Sequence, residues 1–132
     1  MSNEEENECL ETPDFDFSIQ AGVSKRVEIE LQGRNEAGEY VPIGLRGYYV
    51  AMQVRKSYKS FYPVDELTTE NGRIVVPEEN DSPLIVVYFT SKATRNYPAE
   101  AVYDVKIKSP SGDWERILKG SITTFAEVTK ID

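Results

Sequence analysis

The stretch of this chain that most constrains its fold is residues 99–130, AEAVYDVKIKSPSGDWERILKGSITTFAEVTK. Two runs of alternating apolar and polar residues flank a Ser-Pro-Ser-Gly-Asp turn, and this pattern predicts a long β-hairpin. In the first run Tyr103, Val105 and Ile107 fall on one face. This face is predicted to point into a hydrophobic core, because successive side chains of a strand alternate between its two sides.

The second run of the hairpin contains a glycine, Gly120, inside an otherwise regular strand pattern. Trp114, Leu118 and Ile122 share its phase, so all four residues are expected on one face. A glycine in a strand interior indicates a bulge or the close approach of another backbone. We expect one of these at Gly120.

The rest of the sequence adds several short strands. Alternating or continuous apolar runs predict strands at residues 14–19, 24–32, 48–56, 64–68, 73–76 and 84–89. The last of these, LIVVYF, is apolar on both faces, so it is predicted to be a central, covered strand or to meet a partner with its second face. Residues 33–42 are expected to form a turn-rich connector.

Two local patterns predict turns between these strands. Asn71-Gly72 is typical of a type I′ turn, which requires positive φ angles at both central residues. Residues 90–96 are predicted to form the one helical segment, about one turn long, with Ser91 as its N-cap.

These patterns together predict an all-β protein. About seven to eight short strands, frequent turns and one short helical turn are typical of an immunoglobulin-like antiparallel β-sandwich. A small β-barrel is the alternative architecture. We divide the chain into an acidic N-terminal arm, residues 1–13, and a sandwich domain, residues 14–132.

The charge of the chain is concentrated in the arm. The sequence has 23 acidic and 15 basic residues, a net charge of −8. Residues 1–16 contain seven acids and no base, so the remaining chain is nearly neutral. Sequence-independent nucleic-acid binding requires clustered lysine and arginine, and we predict no nucleic-acid partner.

One residue type that is common in catalytic and metal sites is missing from the chain. The chain has no histidine, the commonest general base and metal ligand, and Cys9 is its single cysteine. The acidic runs at residues 14–16 and 78–81 lack the spacing of a calcium loop. No apolar run approaches the ~20 residues of a membrane span. We predict a protein that is not an enzyme, with no cofactor, no metal and no membrane partner.

Two surfaces are candidate interfaces. Residues 57–63, SYKSFYP, form a polar connector with three aromatic residues, Tyr58, Phe61 and Tyr62. Aromatic residues of this kind are enriched at interface hot spots, and they also stack on sugar rings. The second surface is the acidic arm, with Glu4, Glu5, Glu6 and Glu8.

Three segments, in this order, resemble a family of Ig-like domains in tailed-bacteriophage virion proteins, similar to the N-terminal domain of baseplate upper proteins. They are Ala21-Gly22 with residues 27–31 and 45–48; residues 50–55 with 71–74; and Thr94, Tyr103-Asp104, Gly112, Arg116-Ile117-Leu118, Gly120 and Val128-Thr129. The resemblance covers roughly residues 17–130. The acidic arm and the aromatic connector are not part of the pattern.

The third segment is expected to maintain the fold through Tyr103, Asp104, Arg116, Leu118 and Gly120. Tyr103 resembles the tyrosine corner of immunoglobulin-type sandwiches, whose hydroxyl bonds to backbone a few residues upstream and pins the crossover between sheets. Asp104 is expected to accept backbone N–H bonds or to pair with Arg116 across the hairpin.

The resemblance implies a non-enzymatic structural protein of a tailed-bacteriophage virion, assembled in the host cytoplasm. Such a protein is expected in symmetric copies in the tail, baseplate or neck, bound to other virion proteins and to copies of itself. The alternatives are a carbohydrate- or receptor-binding module, which adds a surface glycan as a partner, or a capsid decoration protein.

Overall fold

The computed structural model describes residues 12–131 of the chain. Within them the elements are β1 (Phe17–Gln20), β2 (Lys25–Glu30), β3 (Gln32–Arg34), β4 (Tyr40–Pro42), β5 (Tyr49–Arg55), β6 (Asp65–Thr68), β7 (Ile74–Val75), a 3-10 helix (Glu79–Asp81), β8 (Leu84–Phe89), α1 (Ser91–Thr94), β9 (Glu100–Lys108) and β10 (Trp114–Phe125). The candidate interface residues Glu4, Glu5, Glu6 and Glu8, and also Cys9, lie outside the described residues.

Two sheets enclose the core. One has five strands in the order β1-β10-β9-β5-β6, and the other has three in the order β2-β8-β7. The predicted immunoglobulin-like β-sandwich is confirmed, and the small barrel is not formed. The described chain has more strands than the seven or eight expected, because residues 33–42 are not merely a connector. Their ends pair as the separate hairpin β3–β4.

Alternate residues of the central strands fill the space between the sheets. The buried side chains from β5, β8 and β9 are Val50, Met52, Val54, Ile85, Val87, Phe89, Tyr103, Val105 and Ile107. Fully burying an aliphatic or aromatic side chain of this size stabilises the fold by about 1.5–3 kcal/mol. The predicted central position of β8 is confirmed, since β2 and β7 pair with its two edges.

A β-bulge divides β10 into two halves with opposite alternation. The register between β9 and β10 shifts at Ile117, which is the extra residue. Leu118 and Ile122 pack on the core, but Trp114 pairs with Lys108 and is 51% exposed on the other side of the sheet. The prediction that Trp114 shares a face with Leu118 and Ile122 is therefore wrong, because the bulge shifts the alternation by one residue.

Tyr103 and Gly120, which are register partners, meet the segment that precedes β1. The buried Tyr103 hydroxyl donates a hydrogen bond of 2.5 Å to the carbonyl of Phe15. A Cβ atom at Gly120 would overlap the same carbonyl, so this is the close backbone approach expected there. The acceptor differs from that of a tyrosine corner, because the hydroxyl fixes a segment 88 residues away instead of the local upstream backbone.

The Asn71-Gly72 turn connects the two sheets instead of closing a hairpin. β6 belongs to the five-stranded sheet and β7 to the three-stranded sheet, so the type I′ hairpin turn is wrong. Gly72 has a φ of 82°, but Asn71 does not have the positive φ that this turn requires. The Asn71 side chain instead accepts hydrogen bonds of 3.0 Å from the backbone N–H groups of Thr68 and Arg73.

The short helix α1 starts one residue earlier than predicted. Its N-cap is Thr90, whose hydroxyl accepts a hydrogen bond of 3.1 Å from the Ala93 N–H, so the predicted cap at Ser91 is wrong. The buried Thr94 hydroxyl accepts a bond of 3.1 Å from the Gly22 N–H. This contact fastens α1 to the turn between β1 and β2.

A partly buried polar cluster joins the two sheets at the β6 edge. The guanidinium of Arg73 binds both carboxylate oxygens of Asp65, at 3.2 and 2.9 Å. The Tyr97 hydroxyl donates a bond of 2.5 Å to the same carboxylate. Burial raises the pKa of Tyr97 well above its usual value of 10, and the hydrogen bond and negative charge of Asp65 raise it further.

We predict that Tyr103→Phe lowers the free energy of unfolding by about 1 kcal/mol, because it removes the bond to Phe15 and keeps the ring. Urea denaturation measures this change. Tyr62→Phe is the control, since Tyr62 is 83% exposed and should leave the unfolding free energy unchanged. A Tyr103→Phe protein as stable as the parent would contradict the assignment.

We predict a loss of stability in alkaline solution. Above pH 10 the unfolded chain ionises Tyr97 while the folded protein keeps its proton, so the free energy of unfolding falls by up to ~1.4 kcal/mol per pH unit from this group. Tyr97→Phe should be less stable at neutral pH but should show a shallower alkaline decline. Equal slopes for the two proteins would refute this origin.

Candidate functional site

The five-stranded sheet turns one face away from the core, and strand register arranges its side chains in rows. Side chains directly opposite each other on paired strands lie on the same side of the sheet. We use the name outer face for three such rows: Tyr49, Lys108 and Trp114; Ala51, Lys106 and Arg116; Gln53, Asp104 and Lys119.

The outer face contains an open cleft of about 690 Å³. Its lining combines aromatic and polar side chains: Tyr49, Tyr58, Trp114, Gln53, Asp104 and Lys106. All but Tyr58 project from β5, β9 or β10, which are neighbouring strands in the middle of the sheet. Such strands hold functional groups more precisely than loops do.

The aromatic end of the cleft is formed where β5, β9 and β10 meet. The rings of Tyr49 and Trp114 contact each other edge to face, with centroids 5.9 Å apart and an interplanar angle of 88°. The Lys108 ammonium lies 5.8 Å from the centre of the Trp114 ring. Half of Trp114 is nevertheless exposed, which leaves a large aromatic surface for a ligand.

The polar part of the cleft is a set of connected side chains. Arg55 donates a hydrogen bond of 2.6 Å to the Gln53 side-chain oxygen, and the Gln53 amide donates one of 2.7 Å to Glu66. On the other side Asp104 lies 3.9 Å from the Arg116 guanidinium. Lys106 makes no ion pair with any of the residues 12–131, so it presents an uncompensated positive charge.

Arg55 also holds the aromatic connector, residues 57–63, in place. Its guanidinium donates hydrogen bonds of 2.9 and 3.0 Å to the carbonyls of Ser60 and Phe61. The connector therefore places Tyr58 at the cleft, while Phe61 and Tyr62 lie outside its lining and are 92% and 83% exposed.

The structure thus brings one of the three predicted aromatic residues to the cleft and adds others that the sequence analysis missed. Lys106 belongs to the face opposite the predicted core positions Tyr103, Val105 and Ile107. Tyr49 and Gln53 alternate in the same way with the apolar residues Val50, Met52 and Val54 of the strand predicted at 48–56. That alternation was a usable indication of a polar and aromatic surface. Trp114 was predicted to share a face with Leu118 and Ile122, because the bulge at Ile117 was not foreseen.

Asp104 and Arg116, two residues of the fold-maintaining motif, also lie on the outer face. Their distance of 3.9 Å agrees with the pairing expected across the hairpin, but their side chains are 31% and 42% exposed. An exposed ion pair contributes roughly 0–1 kcal/mol to stability. Both groups are therefore accessible to a ligand.

A second cleft of about 570 Å³ lies near the 3-10 helix. Its lining has two carboxylates, Glu78 and Asp81, and that of Asp81 already accepts a hydrogen bond of 2.9 Å from the Arg46 backbone N–H. Tyr48 is the only aromatic residue in its lining. The outer face is accordingly the stronger candidate for a ligand-binding site.

From residue 12 to residue 131, three or more His, Cys, Asp or Glu side chains do not come together in a group that could hold a metal ion. Over the same range, no helix combines the length and the hydrophobicity of a membrane span.

Comparison with known proteins gives the following results. No protein-family model matches the sequence. No curated protein matches it either. Among solved structures the chain is similar to CopC from Methylosinus trichosporium OB3b, with 13% sequence identity, a TM-score of 0.43, and coverage of 92% of this chain and 91% of that chain.

The prediction of a bacteriophage virion protein is corrected by this comparison. The predicted virion role is withdrawn: the solved structure found is titled CopC, and its title does not name a tail, baseplate, neck or capsid protein. At 13% identity and a TM-score of 0.43, the likeness does not supply a function for this chain in its place. The resemblance of the short motifs to phage Ig-like domains stays a prediction from sequence.

We predict that Arg55→Ala speeds amide hydrogen exchange in residues 57–63 by about tenfold, because each charge-assisted bond to a carbonyl contributes about 1.5 kcal/mol or more. Exchange measured by mass spectrometry tests this. Lys56→Ala changes the neighbouring exposed cation and should leave exchange unaltered. Equal exchange in the Arg55→Ala protein would show that Arg55 does not fix the connector.

Proposed function

We propose that this protein is a carbohydrate-binding module that holds a saccharide with carboxylate groups in the cleft of the outer face. The observation that carries the proposal is the placement of Trp114, Tyr49 and Tyr58 in one open cleft beside hydrogen-bonding side chains. The proposed module binds its ligand and does not transform it.

The aromatic residues suit the apolar side of a sugar. A pyranose ring exposes C–H groups on its faces, and these pack on an aromatic ring with little loss of conformational freedom. Trp114 is 51% exposed and Tyr58 is 67% exposed, so both have surface to contribute. Both side chains are held at the cleft. Trp114 lies on β10, and Arg55 fixes the connector that carries Tyr58.

The polar residues suit the hydroxyl and carboxylate groups of the same ligand. Sugar hydroxyls donate hydrogen bonds to a carboxylate such as that of Asp104, and they both donate to and accept from an amide such as that of Gln53. Lys106 lies in the cleft without an ion pair among the described residues. A ligand carboxylate at Lys106 would gain a charge-assisted hydrogen bond, which favours an acidic over a neutral saccharide.

We predict that an oligomer of galacturonic acid binds this protein and that Trp114→Ala weakens the binding about tenfold, equivalent to ~1.4 kcal/mol. Isothermal titration calorimetry measures both affinities. The matching neutral galactose oligomer should bind more weakly than the acidic one, and Lys106→Gln should reduce that difference.

Phe61→Ala is the matched control. It removes an aromatic side chain that is 92% exposed and lies outside the cleft, so it should leave binding unchanged. Equal losses from Trp114→Ala and Phe61→Ala would move the binding site to the connector. No heat of binding for either oligomer with the unmodified protein would reject the proposed ligand class.

A further inference from the structure

Strand β2 forms one edge of the three-stranded sheet, and its second side pairs with no other strand in the described part of the chain. The Leu31 N–H donates a hydrogen bond of 2.9 Å to the Pro83 carbonyl, which continues the register of β2 with β8. Backbone groups alternate in direction along an antiparallel strand. Every second residue of β2 therefore bonds to β8, and the residues between them turn their N–H and carbonyl groups outward: Arg26, Glu28 and Glu30.

The other edges of the two sheets are covered by side chains of the same chain or are very short. On β6 the Asn71 side chain donates a hydrogen bond of 3.0 Å to the Glu66 carbonyl and accepts one of 3.0 Å from the Thr68 N–H. On β1 the Lys25 ammonium donates one of 2.9 Å to the Ser18 carbonyl. β7 is two residues long. A free strand edge can pair with another chain, and within residues 12–131 the outward groups of β2 have no such cover.

The hydrophobic core is also incompletely closed beside β2. Val27 and Ile29 point to the core but are partly exposed. Their register partners on β8, Val87 and Ile85, are fully buried. A narrow apolar fissure opens here between the sheets, and its lining includes Phe15, Phe17, Val27, Ile29 and Leu118. A further strand beside β2 would cover part of this apolar surface.

The charged side chains of β2 suit a second copy of the same strand. Arg26 lies near the start of β2 and Glu30 at its end, so antiparallel pairing of two copies places each Arg26 opposite a Glu30. Opposite charges that face each other across paired strands stabilise the pair, whereas parallel pairing would place arginine opposite arginine. Glu28 would face the same residue of the other copy. Its charge is already offset by the Arg26 guanidinium of its own chain, 2.7 Å away.

We propose that a second copy of this chain pairs with the free edge of β2 through its own β2, antiparallel and about a two-fold axis. Residue 28 then lies opposite residue 28 of the other copy. This register brings all three pairs of outward backbone groups together and forms about six hydrogen bonds, two for each pair. The two three-stranded sheets become one continuous sheet in the order β7-β8-β2-β2-β8-β7.

The shared edge is six residues long, so the interface is small and the dimer is weak. We expect a dissociation constant of order 100 µM. None of the residues that line the cleft of the outer face lies on β2, β7 or β8. The dimer therefore does not depend on the proposed saccharide, and the experiments below are carried out without a ligand.

Sedimentation equilibrium of the full-length protein measures the association. The apparent mass should rise from that of one chain towards that of two as the protein concentration passes ~100 µM. Glu28→Pro removes one outward N–H and keeps the bonds to β8, and proline is tolerated at such an edge position. It should leave the protein monomeric. Glu28→Gln is the matched control, since it keeps the N–H and should still dimerise.

Cysteine cross-linking tests the strand and its register. In Cys9→Ser protein, Glu28→Cys places the two new cysteines opposite each other, with Cα atoms ~5.5 Å apart, a distance that a disulfide spans. Oxidation should therefore link two chains. Arg26→Cys in the same background is the control. Its two cysteines would lie four residues apart along the strands, or ~13 Å, and should not be linked.

Three results would overturn the proposal. The first is a protein that stays monomeric up to ~1 mM. The second is a dimer that survives Glu28→Pro, which would place the contact on another surface. The third is Glu28→Cys protein that is not linked, or is linked no better than Arg26→Cys protein. If circular dichroism shows that Glu28→Pro is unfolded, the cross-linking comparison decides the question.

Discussion

The single extra residue in β10 is the feature on which both the core and the candidate site depend. The bulge at Ile117 lets one strand send Leu118 and Ile122 inward and Trp114 outward. Without it, regular alternation over the same length would turn Trp114 to the core side of the sheet. A bulge interrupts the hydrogen-bond ladder at one residue and redirects the side chains that follow, and bulges are frequent beside functional sites.

The edge of the same strand joins the N-terminal segment to the domain. The Tyr103 hydroxyl and the bare Gly120 backbone together receive the Phe15 carbonyl, and β1 then runs parallel to β10. This junction is what brings the start of the described chain to Arg116. Thr12, where the described chain begins, is therefore held at the edge of the outer face, and its hydroxyl accepts a hydrogen bond from Arg116.

Strand patterns alone predicted the sandwich and most of its core, because period-2 alternation depends only on which face a residue occupies. Tyr103, Val105 and Ile107 lie in the core as expected. The errors fall where local sequence does not determine the outcome. Asn71-Gly72 has the residues of a hairpin turn, but the flanking strands pair in different sheets. Among the aromatic residues of the cleft, Tyr58 was predicted from sequence as an interface residue, and Tyr49 and Trp114 were not.

The sequence by itself determined the all-β class, the core positions and the concentration of negative charge in the first residues, since each of these is set by residue type and spacing along the chain. Only the tertiary structure decided that the hairpin 99–130 contains a bulge, because a shift in register is a property of two paired strands. It also decided that Trp114, Lys106 and Tyr58 share one cleft, since residues distant in sequence come together only when the strands that carry them pair.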